Sequence, residues 1–168
     1  MRMLNNIQLS PHFSLLELTE SATARQRDIA NIPPPEAVEN LKRLCKGTLE
    51  PLRKALGLPV IITSGYRCKE LNNIVNRSSK TSQHMLGQAA DFYISSDGSM
   101  RLGRRELLIM GFRLIILNED IDYDQLILYP TFIHVSYVSR SKNRRKIIKA
   151  NGHGSYCTVT REAALCLS

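Results

Sequence analysis

The sequence predicts an α+β fold in a single domain, with a small antiparallel sheet flanked by helices. Helical hydrophobic spacing alternates with short strand-like runs, and two such runs near residue 130 have the pattern of a hairpin. The chain has 168 residues, 43% of them hydrophobic, which suffices for one core without disulfide or metal staples. We expect this domain to cover residues 1–150 and a loosely packed tail to cover residues 151–168.

Caps and prolines mark the helices of the first part of the chain. Ser14 and Glu17 have the spacing of a capping box at the start of a short helix. After a polar segment, three successive prolines precede an amphipathic helix that begins at Glu36. Pro51 should kink or restart this helix, and Gly57 should end it.

The rest of the chain mixes short strands with helices. Residues 59–63 are a short buried strand by their apolar run, and they deliver a Ser-Gly-Tyr-Arg motif that ends at Arg67. Functional residues often lie at strand ends of this kind. The further predicted elements are a brief helix over 68–75, a strand over 89–94, a helix over 102–117, and hairpin strands over 124–129 and 132–138.

His84 and Asp91 have a spacing that one helix cannot use for a single metal ion. At about 1.5 Å per residue they would lie roughly 10 Å apart, whereas zinc holds each ligand atom at about 2 Å. A turn at Gly87 that feeds the strand over 89–94 would bring the two side chains together. With His134 on a later strand, two histidines and one carboxylate make the protein half of a catalytic zinc site with an open position.

The chain is strongly basic, with a formal net charge of +8 and a pI of about 9.6. Six basic residues and no acidic one lie between Arg140 and Lys149, a stretch that we call the basic block. It indicates a polyanionic partner, which leaves nucleic acid, a membrane surface and an anionic cell-wall polymer as alternatives. We favour a solvated face over specific nucleic-acid binding, because no finger, stacking platform or recognition helix accompanies the block.

Cysteine spacing and hydropathy bear on the compartment. The four cysteines lack Cys-x-x-Cys spacing, so we expect reduced thiols and leave a bridge between Cys157 and Cys166 open. Residues 1–8 lack the apolar core of a signal peptide, and the most hydrophobic run, 107–117, is interrupted by Arg113. We expect no membrane span, synthesis in the cytoplasm, and release or export by another factor if the substrate lies outside.

Three motifs carry a resemblance to a known family. They are Ser64-Gly65-Tyr66-Arg67, Ser82-x-His84-x-x-Gly87-x-Ala89-x-Asp91, and Ile133-His134-Val135-Ser136. From Leu9 to Lys149 the chain resembles the M15 zinc peptidases, in particular the D-Ala-D-Ala carboxypeptidase branch and its phage and prophage lysin relatives. The resemblance implies a hedgehog/DD-peptidase-like fold, with Zn2+ bound by His84, Asp91 and His134.

The resemblance also implies roles for the residues around the ligands. Arg67 would grip the carboxylate of a peptide substrate, which a guanidinium fork does bidentately. Ser82 matches a position close to the first ligand, where it would bind substrate or support the site. The implied substrate is the stem peptide of peptidoglycan, and we expect a monomeric carboxypeptidase or endolysin-like enzyme.

The sequence departs from the family at the general base. Relatives place a glutamate or a histidine shortly before the last ligand, where this chain has Thr131 and Phe132, or a glutamate near position 129, which is Tyr129. Asp124 is the nearest carboxylate in the hairpin and our candidate for the base, and Tyr129 would donate a hydrogen bond to a developing oxyanion. The next nearest carboxylates are those of Asp122 and Glu119.

Two other classes of function compete with the peptidase. One is a zinc-containing but catalytically weakened cell-wall peptide-binding module, which would keep Arg67 and lack an effective base. The other is a nucleic-acid-binding protein that uses the basic block, which would require strongly salt-dependent affinity. His12 and His153 have no matching context, so we expect no catalytic role for either.

Overall fold

The described part of the chain contains seven α-helices and eight β-strands. The structure is a computed structural model and describes residues 7–75, 78–96, 102–151 and 155–167. The helices are α1 (Leu15–Thr19), α2 (Ala22–Gln26), α3 (Pro35–Leu44), α4 (Glu50–Leu56), α5 (Lys69–Ile74), α6 (Arg104–Leu117) and α7 (Arg161–Leu165). The strands are β1 (Gln8–Ser10), β2 (Phe13–Ser14), β3 (Val60–Ser64), β4 (Ala89–Ile94), β5 (Gln125–Leu128), β6 (Ile133–Ser136), β7 (Lys146–Ala150) and β8 (Tyr156–Thr158).

Six strands form one mixed sheet with the order β3-β4-β6-β5-β7-β8. Neighbours in this sheet are antiparallel except β5 and β7, which run parallel. A separate pair, β1 and β2, is antiparallel. The α+β class and the β5–β6 hairpin are confirmed, but the main sheet is larger than predicted and mixed. The hedgehog-like description of the fold stays a prediction.

The predicted helix boundaries follow the caps and the prolines. The Ser14 hydroxyl accepts a hydrogen bond from the Glu17 backbone N–H at 3.2 Å, and the Glu17 carboxylate accepts from the Ser14 backbone. Between α3 and α4 the chain makes a π-helical turn over Cys45–Leu49, and Pro51 lies in the first turn of α4. A proline is tolerated there because its missing N–H has no helical partner, so the predicted restart is confirmed.

Alternation along β4 separates the face of the sheet that contacts the hydrophobic core from the opposite face, which carries Asp91 and His134 and which we call the functional face. Phe92 and Ile94 are buried in the main core on the face against which α6 packs. Asp91, which precedes Phe92, therefore projects from the opposite face. β6 pairs with β4 so that His134 lies directly opposite Asp91. Two residues 43 positions apart thus become cross-strand neighbours on one face.

The C-terminal segment is part of the fold, so the prediction of a loosely packed tail was wrong. β8 pairs with β7, and Ala164 of α7 is fully buried in the main core. The Arg113 guanidinium donates a 2.7 Å hydrogen bond to the Leu167 carbonyl. Strand β8 has only three residues and depends on β7 for pairing, so the sequence held no periodic signal for it. The domain boundary at residue 150 stays a prediction.

The described residues show the state of the cysteines and the length of the helices. All four cysteines are free thiols, and burial in the core raises the pKa of the Cys45 thiol to about 12. Among the described helices, none is long and apolar enough to cross a membrane.

Candidate metal centre

Three side chains converge at the functional face of the sheet. His134 Nδ1 lies 2.7 Å from Asp91 Oδ1, across the β4–β6 pair. His84 Nε2, from a 3-10 turn over Gln83–Leu86, lies 3.2 Å from His134 Nδ1 and 3.3 Å from Asp91 Oδ1. Ligand atoms at about 2.0–2.1 Å in a tetrahedral zinc site are themselves about 3.3–3.4 Å apart. Two edges of this triangle are close to that separation and the 2.7 Å edge is shorter, so the three atoms form a group that can hold a metal ion.

A backbone carbonyl sets the tautomer of His84. Its Nδ1 lies 2.7 Å from the Gly65 carbonyl oxygen, which can only accept, so Nδ1 carries the proton. The lone pair of Nε2 is then directed to the triangle, the arrangement usual for a metal-ligating histidine. His84 is 2% exposed, and this burial lowers its pKa, which favours the neutral imidazole that binds metal.

Asp91 is ionised in this setting. Burial alone would raise the pKa of its carboxyl, but the neighbouring His84 and His134 outweigh that effect and hold the pKa well below its usual range. A carboxylate and a neutral imidazole are the protonation states that bind a cation. The chemistry of the donor set therefore agrees with its geometry.

Two glycines of the motifs permit this approach of the backbone. Gly87 ends the 3-10 turn with a φ of +67°, and an added Cβ would overlap the Ala37 carbonyl. Gly65 lies against α1, where the Tyr66 N–H donates to the Leu18 carbonyl at 2.7 Å. A Cβ at Gly65 would overlap that same Leu18 carbonyl. The glycine of the Ser-Gly-Tyr-Arg motif is thus required by close packing.

Gly65→Ala should destabilise the protein and weaken the metal centre together. The new Cβ must push the strand end away from Leu18, and overpacking of this kind costs about 1–3 kcal/mol. The same shift moves the carbonyl that orients His84. Urea unfolding and zinc titration measure the two effects. Gly103→Ala is the control, because its Cβ would meet only the flexible Glu106 side chain. Wild-type stability and zinc affinity in Gly65→Ala would contradict the packing argument.

Arg67 lies beside the triangle with unused hydrogen-bonding capacity. Its guanidinium makes two long contacts, at 3.4 Å to the Ser64 hydroxyl and at 3.3 Å to the Ser82 hydroxyl. Its Nε is buried without a partner, and no carboxylate among the described residues lies within 4.0 Å. Burial lowers the pKa of Arg67, but an arginine so placed remains charged. The group is therefore available to an incoming anion.

Ser82 connects Arg67 to the metal centre. Its hydroxyl accepts from the His84 backbone N–H at 3.4 Å at the start of the 3-10 turn. The same oxygen accepts the contact from Arg67. The position is compatible with support of the site and with substrate contact, and its role stays a prediction.

All the residues that the sequence singles out for the site line one cavity of about 1100 Å³. These residues are Arg67, Ser82, His84, Asp91, Asp124, Tyr129 and His134. The described lining contains neither of the other two acids considered as a base, Asp122 and Glu119. A volume of this size is near the upper limit of the range of about 300–1,000 Å³ that is usual for ligand sites.

Tyr129 forms an aromatic wall of the cavity. Its ring stacks on Phe132 with the centroids 4.2 Å apart, and its hydroxyl lies 3.4 Å from that of Tyr156. Burial, the Tyr156 hydroxyl and the charge of Asp91 raise the pKa of Tyr129 above its usual range. The phenol is therefore a hydrogen-bond donor and not a base. Its contact with an oxyanion stays a prediction.

Asp124 is almost fully buried and is bound by an arginine of the basic block. Arg144 Nε lies 2.8 Å from Oδ1, and an Arg144 terminal nitrogen lies 2.5 Å from Oδ2. Burial alone would raise the pKa of Asp124, but the bonds from Arg144 and Gln83 lower it. A carboxylate with a lowered pKa accepts protons poorly. Its role as the general base stays a prediction, and these contacts favour a different role for Asp124.

Sequence reasoning missed several residues of the cavity. Tyr156 belongs to the segment predicted as a tail, and Lys142 and Arg144 belong to the block interpreted as a solvated face. No pattern in the sequence assigned Tyr156. For Arg144 the one signal in the sequence was an unusual density of basic residues, which does not indicate which of them lines the cavity.

The other histidines do not join the centre. His12 is exposed and its Nδ1 lies 2.8 Å from Glu50 Oε2, while His153 lies outside the described residues. Within the described ranges, His84, Asp91 and His134 are the one group of three such side chains able to hold a metal ion.

The sequence around this centre matches a known family. Residues 11–107, more than half of the 168-residue chain, match the family model described as Peptidase M15. The chain belongs to the peptidase M15 family. The matched part of this M15 peptidase contains Arg67, His84 and Asp91, while His134 lies beyond it and reaches the centre through β6. No curated protein matches the chain.

Family membership confirms the resemblance to the M15 peptidases, and the carboxypeptidase or lysin branch stays a prediction. M15 proteins are metallopeptidases, so this chain is a peptidase with a centre that can hold a metal ion. The identity of the metal and the bond that is cut stay predictions.

Proposed function

We propose that this M15 peptidase is a zinc enzyme that cleaves D-amino-acid-containing peptides of peptidoglycan. Its reaction is that of a D,D-carboxypeptidase or of an endolysin-like enzyme. The observation that carries the proposal is the convergence of His84 Nε2, Asp91 Oδ1 and His134 Nδ1 within 3.3 Å of one another. They lie in the same cavity as Arg67.

Two imidazole nitrogens and one carboxylate oxygen form a ligand set that suits zinc and leaves a coordination position for a reactant. When bound, zinc polarises the scissile carbonyl and activates water for attack. The protein contributes a neutral His84 with a fixed tautomer and an ionised Asp91. No reorganisation of these two side chains is then needed when the ion binds.

Arg67 is proposed to bind a carboxylate of the substrate. Arg67 is half-buried, and among the described residues its Nε has no hydrogen-bond partner and its guanidinium contacts only two hydroxyl groups. It therefore has donors to spare for a bidentate partner. Tyr129, which is kept protonated, is proposed to donate a hydrogen bond to the carbonyl oxygen as negative charge develops. Ser82 keeps Arg67 close to the turn that carries His84.

The proposed partner is the stem peptide of the cell wall. We propose that the enzyme acts as a monomer, after release or export from the cytoplasm. The cavity has room for a peptide, and Lys142, which has no acidic partner among the described residues, is one of its lining residues. The positive charge of Lys142 suits a substrate that carries carboxylates.

Zinc-dependent release of a product from purified muropeptides tests the function. We expect hydrolysis of a stem pentapeptide that ends in D-Ala-D-Ala, or of a cross-linked muropeptide, measured by mass spectrometry. A chelator should abolish it and added zinc should restore it. An L-Ala-L-Ala pentapeptide is the control substrate. Hydrolysis that persists unchanged in the chelator, or a preference for the L-peptide, would contradict the proposal.

A peptide-binding module without turnover is the second candidate. The observation in its favour is that Asp124, the one carboxylate besides Asp91 in the described lining of the cavity, is occupied by Arg144. Zinc-dependent binding of muropeptides without hydrolysis would establish this alternative. Nucleic-acid binding is less favoured, because Arg144 and Arg145 of the basic block are paired with Asp124 and Asp122.

A further inference from the structure

We propose that Asp124 positions the two histidine ligands of the metal centre and does not accept the proton of the reaction. The proposal rests on the function proposed above, since it assumes that the centre binds zinc. Asp124 bonds to Gln83, which directly precedes His84, and to Ser136, which lies two residues after His134. It therefore connects two ligands that are 50 residues apart in the chain.

The first connection holds the turn that carries His84. Gln83 precedes His84 in the 3-10 turn, and its side-chain amide donates to Asp124 Oδ2 at 3.0 Å. The turn is only four residues long and has few internal bonds. An anchor at its first residue therefore limits the rotation of the turn that would move His84 Nε2 away from the triangle.

The second connection holds the strand that carries His134. Ser136 lies two residues after His134 in β6, on the same face of the sheet. The Asp124 backbone N–H donates to the Ser136 carbonyl at 2.7 Å, and the Ser136 hydroxyl lies 3.5 Å from Asp124 Oδ2. The hydroxyl also accepts from the Gln125 N–H at 3.1 Å. The end of β6 is thus fixed next to the carboxylate.

The acceptor capacity of Asp124 is already filled. Its Oδ1 accepts from the backbone N–H of Arg144 at 2.9 Å and from the Arg144 Nε at 2.8 Å. Its Oδ2 faces the Arg144 terminal nitrogen, the Gln83 amide and the Ser136 hydroxyl. An ionised carboxylate has about four acceptor sites, and five donors approach this one. Little capacity is left to take a proton from water.

The zinc affinity of the Asp124→Asn variant distinguishes a positioning role of Asp124 from a role in proton transfer. The amide loses the charge and one acceptor oxygen, so the Arg144 fork and the Gln83 anchor cannot both be kept. We expect the zinc dissociation constant of the full chain to rise about tenfold, as for other supports behind metal ligands. It is measured by competition with a chromophoric chelator. Turnover should return at saturating zinc, where a lost base would leave it about 10²–10⁴-fold low.

Asp122→Asn is the matched control. Asp122 is also buried, also precedes β5, and also pairs with an arginine of the basic block, Arg145 at 3.2 Å. It does not line the cavity. Its variant should bind zinc as the parent does. Equal weakening in both variants would mean a general loss of stability and would overturn the positioning role.

Gln83→Ala keeps the test decisive if Asp124→Asn does not fold by circular dichroism. It removes the connection to the His84 turn and leaves the Asp124–Arg144 pair intact. We expect weaker zinc binding in this variant as well. An unchanged zinc dissociation constant in a folded Gln83→Ala or Asp124→Asn overturns the proposal. Because zinc affinity is the readout, failure to hydrolyse muropeptides would count against the proposed function and not against this one.

Discussion

His134→Ala should lose zinc after dialysis and lose peptide hydrolysis with it. The change removes one of the three proposed ligand atoms, and the cross-strand partner of Asp91. Changes that only disturb supports behind the ligands weaken metal binding by about 10–100-fold, so loss of a ligand itself should exceed that range. Elemental analysis of the dialysed protein gives the zinc content, and muropeptide turnover is measured on the same sample.

His84→Ala should lose zinc in the same way, with a larger effect on folding. His84 is 2% exposed and its Nδ1 bonds to the Gly65 carbonyl, so its truncation leaves both a cavity and an unpaired carbonyl. His134 is therefore the cleaner probe of the metal. His12→Ala is the control for both, because His12 is exposed and pairs with Glu50. Full zinc content in both ligand variants would mean that the site is wrongly placed.

The convergence of the three candidate metal ligands could be predicted because local rules limit where each one lies. A turn at Gly87 followed by a strand brings His84 and Asp91 together, and the structure places a left-handed glycine and β4 there. Strand alternation likewise puts His134 on one face of β6. The register that sets Asp91 opposite His134 was beyond sequence reasoning, because α6 lies between the two strands in the chain.

Pairing between distant segments explains what was missed in the sheet. In β7 the adjacent residues Ile147 and Ile148 are both buried, the first in the main core and the second in a smaller cluster with Ile127 on the functional face. A strand covered on both faces does not alternate, and its flanking lysines resemble a solvated segment. The parallel pairing of β7 with β5, and with it β8 and Tyr156, could not be seen in the sequence.

The general base shows the same limit at the level of one side chain. Asp124 was chosen because it lies near His134 along the hairpin, which is a statement about sequence distance. What decides its chemistry is Arg144, which reaches it from 20 residues away and lowers its pKa. The sequence of six basic residues does not indicate which of them pairs with a buried carboxylate. That pairing is determined by the tertiary structure.

Arg67→Lys should weaken hydrolysis of peptides with a free terminal carboxylate and leave the zinc content unchanged. Lysine keeps a positive charge but loses the planar fork that can hold both carboxylate oxygens. Hydrogen bonds to charged groups contribute about 1.5–3 kcal/mol, so loss of one should lower kcat/KM by about 10–100-fold. The effect is measured on a free-acid peptide and on its amidated counterpart, with zinc determined in the same preparation.

The ratio of kcat/KM for the free-acid peptide to kcat/KM for the amidated peptide tests whether Arg67 binds the terminal carboxylate. If the guanidinium binds the terminal carboxylate, the parent should prefer the free acid, and Arg67→Lys should lose most of that preference. Arg25→Lys is the control, because Arg25 is an exposed partner of Glu20 on α2 and should leave the ratio unchanged. The buried Nε of Arg67 has no hydrogen-bond partner among the described residues, so a carboxylate that fills this position adds a bond without breaking one of theirs. A parent-like ratio at parent-like activity in Arg67→Lys would remove Arg67 from the substrate site.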